Sequence, residues 1–156
     1  MKIIFAGLLA AVSILGMQVS PALAAPVNDN FAKATVISGS LLREGAPGTT
    51  KNATKEPGEP EHAGFPGGSS VWFKWTAAKS GPVELDTCSA EFDTLLAVYT
   101  GTELASLTPV ASNDNGAGEC SPGSQVSFEA VTLTTYRIAV DGKEGAQGFF
   151  NLHLTP

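Results

Sequence analysis

The stretch SVWFKWT, residues 70–76, decides the fold class of this chain. Its residues Val71, Phe73 and Trp75 occupy every second position. Side chains of a β-strand point alternately to the two faces of its sheet, so these three share one face. The stretch therefore predicts a strand that turns an apolar face toward a hydrophobic core.

The same alternation recurs along the rest of the chain. It is found in four later segments, residues 83–88, 125–130, 136–141 and 149–154. Phe92–Thr100 is apolar on both faces, as expected of a central strand that is covered on both sides. Turn residues separate these segments at intervals of about 10–15 residues. The pattern predicts an all-β fold, a jelly-roll-like antiparallel β-sandwich of about eight strands.

The amino-acid composition and net charge exclude some fold classes and some kinds of binding partner. The chain has 156 residues, 43% of them hydrophobic and 15% charged, with 9 basic against 15 acidic residues and a net charge of −6. An acidic surface disfavours nucleic acid and anionic membranes as partners, because both need basic surface. Seventeen glycines and few charges do not suit a helical bundle. After the N-terminal segment, residues 25–156 suffice for one compact domain.

The N-terminal segment, residues 1–24, has the features of a bacterial signal peptide. Lys2 supplies a positive charge, Ile3–Leu15 is apolar, and small residues precede Ala24. We expect cleavage after Ala24, with Ala25 as the second choice. The alternative is a retained anchor, but the apolar run is short for a membrane-spanning helix. The prediction is a soluble protein in the periplasm or the medium, without membrane insertion after cleavage.

The chain has two cysteines, Cys88 and Cys120. In an oxidising compartment they form the only available intrachain pair, and we expect a disulfide. A zinc site and a nucleophilic thiol are the alternatives. Two cysteines at this separation, with two histidines in the whole chain, make poor zinc ligands.

The segment from Leu42 to Ser70 lacks periodicity and is rich in Pro and Gly, which predicts a long loop. Such loops are often functional, bind a metal or wrap over the core; disorder is the alternative. Trp72 lies opposite the core face of its strand, beside Lys74. We predict either that the loop covers Trp72 or that Trp72 and Lys74 contact a ligand.

Five motifs in order resemble the bacterial pre-peptidase C-terminal domain family, whose members are jelly-roll-like sandwiches related to collagen-binding modules of collagenases. They are NDNFA at 28–32 with Ala34-Thr35, KEPGEP at 55–60 with HAG at 62–64, SVWFKWT at 70–76, FDTLLAVYTG at 92–101 and YRIAVDG at 136–142. The resemblance implies a non-catalytic appendage of secreted peptidases or of exported multidomain proteins. This chain carries no peptidase domain.

The related collagen-binding modules bind calcium near the start of the domain, and the resemblance carries that site to Asn28 and Asp29. Upstream acidic residues of the family pattern are replaced here by residues 25–27. Glu56 and Glu59 join the pair if the N-terminal segment packs beside the loop, since calcium takes six to eight oxygen ligands. Turn and capping roles are the alternative for all four residues.

A hydrolase triad would have to use His62 or His153, the only histidines, and no Gly-x-Ser-x-Gly motif is present. We therefore expect a protein that is not an enzyme: an exported, monomeric accessory module that binds an extracellular polymer, an envelope component or a secreted protein. The first alternative is a calcium-stabilised domain that binds carbohydrate or a collagen-like polymer. The second is a small secreted hydrolase or hydrolase inhibitor.

Overall fold

The structure of the protein is a computed structural model that describes residues 24–38 and 45–156. Its strands form two sheets. In chain order the strands are β1 (Thr35–Val36), β2 (Ala46–Thr49), β3 (Val71–Thr76), β4 (Gly81–Asp86), β5 (Thr94–Thr100), β6 (Thr108–Asp114), β7 (Gln125–Ala130), β8 (Thr135–Gly142) and β9 (Phe149–Thr155). Four short 3-10 turns lie at Phe31–Lys33, Leu104–Ser106, Gly118–Cys120 and Lys143–Gly145.

The first sheet has five strands in the order β1-β3-β8-β5-β6, and the second has four in the order β2-β9-β4-β7. Every pair is antiparallel except β1 with β3, which is parallel. The predicted all-β sandwich is confirmed, with nine strands in place of about eight. Strands β1 and β2 are short and lie where the sequence has little alternation.

The hydrophobic core lies between the sheets, as the alternation predicts. From the first sheet it takes Val71 and Phe73 of β3 with alternate residues of β5 and β8, and from the second it takes Leu85 of β4 and Leu152 of β9. The rings of Phe73 and Phe150 meet edge to face across this core, with centroids 6.0 Å apart. Burial of these side chains provides the main free energy of folding.

The predicted disulfide joins Cys88 to Cys120. Cys88 follows β4, and Cys120 ends the 3-10 turn that leads to β7. Because β4 and β7 are neighbours in the second sheet, the bridge ties together the loops at one end of that pair.

The predicted long loop lies within the described residues from Gly45 onward, and it includes β2. Pro47 and Gly48 are weak strand formers, yet β2 pairs with β9 over four residues. Gly48 is required there, because a Cβ atom at this position would lie 2.4 Å from the Phe150 ring. The remainder of the loop, residues 51–69, crosses the outer face of the first sheet.

No helix within residues 24–38 and 45–156 has the length and apolar character needed to cross a membrane. The predicted signal peptide lies outside the described residues except for its last residue, Ala24.

Candidate functional site

A second apolar layer covers the outer face of the first sheet. It consists of Phe31, Ala34, Trp72, Ala97, Tyr99 and Ala139. The strand register places Trp72, Ala139 and Ala97 in one row across β3, β8 and β5. The two alanines leave room for the large rings, which pack at an angle: Phe31 and Trp72 lie 5.1 Å apart and nearly perpendicular. We call this set the outer layer.

Trp72 has no exposed surface in this structure. The N-terminal segment covers it with Phe31, and the loop covers it with His62, whose ring centroid lies 5.5 Å away. Of the two predictions made for Trp72, this burial favours the one in which the loop covers the ring, and a ligand contact at Trp72 and Lys74 stays a prediction. Lys74 is half-buried in β3, opposite Arg137 of β8.

The N-terminal segment is joined to the sandwich by Asn28 and Asp29, two of the four residues that were predicted to bind calcium. The Asn28 side-chain amide donates to the carbonyl of Trp72 at 3.0 Å, and the Trp72 backbone N–H donates to the carbonyl of Asn28 at 2.9 Å. Asp29 accepts from the backbone N–H and the hydroxyl of Thr54 at 2.6 and 3.0 Å. These bonds join the segment to β3 and to the loop.

Glu56 and Glu59 lie at the same contact between the N-terminal segment and the loop, which we call the seam. Glu56 accepts the backbone N–H of Phe31 at 2.5 Å, and Glu59 accepts the backbone N–H of Glu56 at 2.9 Å. The N-terminal segment thus packs beside the loop, as the calcium hypothesis requires. The carboxylates of Asp29, Glu56 and Glu59 accept hydrogen bonds from protein donors here, so each of them supports the local backbone, and calcium binding at this seam stays a prediction.

His62 is the centre of the loop's contact with the sheet. It is fully buried, and both of its ring nitrogens have partners: Nδ1 lies 2.8 Å from the Tyr99 hydroxyl and Nε2 lies 2.8 Å from a carboxylate oxygen of Glu59. The Tyr99 hydroxyl also reaches the carbonyl of Glu61 at 3.4 Å. A hydrogen-bonded chain therefore runs from Glu59 through His62 to Tyr99 on β5.

Asp141 of β8 completes this polar cluster. It is fully buried, and its carboxylate accepts backbone N–H groups of Gly68, Ser69 and Gly142 at 2.7–3.1 Å. The loop approaches it so closely that a Cβ atom at Gly67, which has φ +59°, would lie 1.6 Å from the carboxylate. Ligand atoms of Glu59, His62 and Asp141 all lie within 4.8 Å of one another. We call these three residues the buried cluster.

The pKa of Tyr99 is raised, first because the hydroxyl is buried and further because Glu59 and Asp141 are negatively charged nearby. The hydroxyl is therefore protonated at all ordinary pH values, and it remains available as a hydrogen-bond donor. Neither Tyr99 nor Asp141 is among the predicted site residues. The signal for Asp141 is an acidic residue before Gly142 at the end of an otherwise apolar strand.

The outer face of the second sheet carries an exposed aromatic ring. Phe149 begins β9 and is 54% exposed, and it is the only aromatic side chain with an exposed position among residues 24–38 and 45–156. The Lys51 ammonium lies 4.2 Å from its ring centroid. A shallow groove of about 280 Å³ lies beside the ring, and Glu91 and Asn151 contribute polar groups to it. We call this region the Phe149 surface.

A larger cleft, of about 730 Å³, opens near the turn between β3 and β4. Trp75, Pro82 and Val83 are among its mostly apolar walls. The Trp75 ring is only 5% exposed and stacks on Tyr136 with centroids 5.8 Å apart. This cleft therefore presents less aromatic surface to a ligand than the Phe149 surface does.

No protein-family model and no curated protein matches the chain. Among solved structures, it is similar to the pre-peptidase C-terminal domain of a collagenase from Bacillus anthracis, with a TM-score of 0.42 and 9% identity over 71% of this chain and 89% of that one. It is also similar to a cycloisomaltooligosaccharide glucanotransferase from Paenibacillus sp., with a TM-score of 0.33 and 15% identity over 80% of this chain and 20% of that one.

Proposed function

We propose that this chain is an exported, non-catalytic binding module and that the Phe149 surface contacts an extracellular polymer. The observation that carries the proposal is the 54% exposure of a large aromatic ring on a sheet whose other outward side chains are mostly polar. Full burial of such a ring is worth about 1.5–3 kcal/mol, and binding would recover roughly half of it here because about half of the ring is exposed.

The groups around Phe149 favour a polysaccharide. A sugar ring has apolar C–H faces that pack on an aromatic ring, while its hydroxyls need hydrogen-bond partners at the edge. Lys51, Glu91 and Asn151 lie beside the ring and offer both donors and acceptors. A protein polymer would use the same ring with fewer of these polar groups.

The placement of the histidines supports the non-catalytic part of the proposal. His62, a group suited to general base catalysis, is fully buried beneath the loop with both nitrogens engaged. His153 is partly exposed and lies 3.2 Å from Asp86, but the sequence has no nucleophile motif to accompany them.

The test is a depletion assay with insoluble polysaccharides and with fibrillar collagen, comparing the unaltered chain with Phe149→Ala. We expect the unaltered chain to bind a polysaccharide and the variant to bind at least about tenfold more weakly, a loss of roughly 1.4 kcal/mol. Leu133→Ala is the matched control, because it removes an apolar side chain that is 82% exposed at a turn.

Both variants should keep the melting temperature of the unaltered chain, since neither side chain is buried. If the chain binds collagen and the binding depends on Phe149, the proposed binding surface is correct and the ligand is a protein polymer instead of a polysaccharide. Polymer binding that is equally strong in Phe149→Ala would contradict the proposed surface, and turnover of any tested polymer would contradict the non-catalytic role.

A further inference from the structure

We propose that the buried cluster, Glu59, His62 and Asp141, is a binding site for a divalent transition-metal ion of the zinc class. This inference is independent of the polymer-binding proposal, because the cluster lies under the loop on the first sheet while Phe149 lies on the second. It also differs from the calcium hypothesis in its donor atoms and in two of its three residues.

The donor set is the first reason. The cluster offers one imidazole nitrogen and two carboxylate groups, with ligand atoms within 4.8 Å of one another. Zinc in proteins is held by three or four such ligands at about 2.0–2.2 Å, so a small inward movement of the side chains would bring the three groups around a single ion. Calcium takes oxygen ligands almost exclusively, so the imidazole of His62 selects against it.

The partners of His62 are the second reason. An imidazole that holds a metal through one nitrogen usually donates a hydrogen bond from the other, which fixes its tautomer. His62 has such a partner for Nδ1, the Tyr99 hydroxyl at 2.8 Å, and that hydroxyl has the Glu61 carbonyl as its own acceptor. When a metal ion occupies Nε2, the ring proton can sit on Nδ1. The Nδ1–H group then donates a hydrogen bond to the hydroxyl oxygen of Tyr99.

The charge of the cluster is the third reason. Glu59 and Asp141 place two carboxylates in a volume closed to water, and the partners of Glu59 there are the His62 ring and the backbone N–H of Glu56. Carboxylate charge held in such a volume without a full countercharge costs several kcal/mol. The lysines closest to these residues in the sequence are engaged elsewhere: Lys55 donates to the carbonyl of Pro66, and Lys143 pairs with Asp114 at 2.7 Å. Backbone N–H groups offset part of the charge on Asp141. A divalent cation would offset the remainder.

The test begins with metal-free protein, unfolded and refolded in the presence of zinc, manganese or calcium, because the ligands are reached only when the loop is open. We expect one zinc ion per chain by elemental analysis. Zinc at about a hundred times its Kd should raise the melting temperature by roughly 5–10 °C. Calcium should give no such binding to the buried cluster.

Two variants, Glu59→Gln and His62→Gln, should each lose the bound zinc. His153→Gln is the matched control, because His153 and Asp86 form an exposed histidine–carboxylate pair 3.2 Å apart that would collect zinc nonspecifically. The proposal is overturned if the unaltered chain refolds without retaining zinc, if a folded Glu59→Gln or His62→Gln variant binds it equally well, or if His153→Gln abolishes binding.

Cobalt provides a readout that does not depend on the variants folding. Cobalt(II) held by one imidazole and two carboxylates in a site of four or five ligands absorbs visible light far more strongly than the hydrated ion does. An enhanced spectrum in the unaltered chain supports the site even if both variants unfold. The spectrum of the hydrated ion, unchanged by the protein, overturns it.

Discussion

Two apolar layers flank the first sheet, and they exclude water in different ways. Between the sheets, side chains from strands on both sides interdigitate, as Phe73 does with Phe150. On the opposite face, Trp72 is covered by chain with almost no regular secondary structure. There the cover is attached through hydrogen bonds of His62, Glu56 and Asp141.

The difference shows what each layer depends on. The core excludes water because apolar side chains from both sheets bury their surface against one another. We therefore expect the core to open only when the whole domain unfolds. Closure of the outer layer depends on matching each buried polar group with a partner, since an unmatched group costs about 1–3 kcal/mol. The matching is incomplete, because the indole N–H of Trp72 is buried without a partner among the described residues. We expect the outer layer to open locally before the core does.

The largest expected effect belongs to the core. Phe73→Ala removes a ring that is 1% exposed and leaves a cavity beside Phe150. We expect the free energy of unfolding to fall by about 3–5 kcal/mol, with a single unfolding transition, as measured by denaturant titration. Val131→Ala, at a position 57% exposed, should change it by less than about 0.5 kcal/mol. A small loss for Phe73→Ala would mean that the layer between the sheets is not the main core.

A smaller and more local effect belongs to the outer layer. Tyr99→Phe keeps the ring but leaves Nδ1 of His62 without its partner. We expect the free energy of unfolding to fall by about 1–2 kcal/mol, and hydrogen exchange to accelerate at the backbone N–H groups of Phe65, Gly68 and Ser69.

Tyr136→Phe is the matched control for that experiment. Its hydroxyl accepts the backbone N–H of Val131 at 2.9 Å, at the turn between β7 and β8. The control should leave exchange in the loop unchanged. Equal acceleration of exchange in the loop and in β8 after Tyr99→Phe would contradict local opening, because the two layers would then open together.

The same contrast explains how far the sequence predicts the structure. The core follows from alternation: the segments around Val71, Val83, Val126, Tyr136 and Phe150 are strands with the expected face inward. The disulfide follows because only two cysteines exist. Both inferences need only short-range pattern or composition, and the structure confirms them.

Strands β1 and β2 could not be predicted in this way. β2 contains Pro47 and Gly48, and its conformation depends on pairing with β9, which begins about a hundred residues later. β1 has two residues and extends the sheet only through its parallel pairing with β3. Tertiary contacts decide both of these, and local propensity does not.

The candidate sites also depend partly on local sequence pattern and partly on tertiary contacts. The alternation correctly places Trp72 on the face opposite Phe73, but whether that face is open depends on Phe31 and His62, which arrive from other parts of the chain. The buried cluster draws Glu59 and His62 from the loop and Asp141 from β8. Neither alternation nor spacing along the chain indicates that these groups meet.

Another pair of carboxylates, Asp93 and Asp114, lacks some of the hydrogen-bond partners that buried oxygens need. Asp93, just before β5, faces Asp114 at the end of β6, and each has one buried carboxylate oxygen without a partner among the described residues. Burial raises the pKa of Asp93 above its ordinary value of 3.8, and Asp114 and Glu144 raise it further, whereas Lys143 lowers it. Asp93 is therefore destabilising when it is ionised.

Asp93→Asn should therefore stabilise the protein at neutral pH, which is the smallest effect we predict. A carboxyl group whose pKa is raised on folding holds its proton more tightly in the folded state, so the unaltered protein loses stability as pH rises from 3.8 through the raised pKa. The advantage of the variant should be absent below pH 3.8 and complete above that window, as measured by denaturant titration at several pH values. Glu84→Gln, at an exposed position of β4, should show no such pH dependence. A variant that is less stable than the unaltered chain at pH 7 would contradict this prediction. It would mean that the ionised Asp93 carboxylate has stabilising partners, as the buried polar groups of the outer layer do.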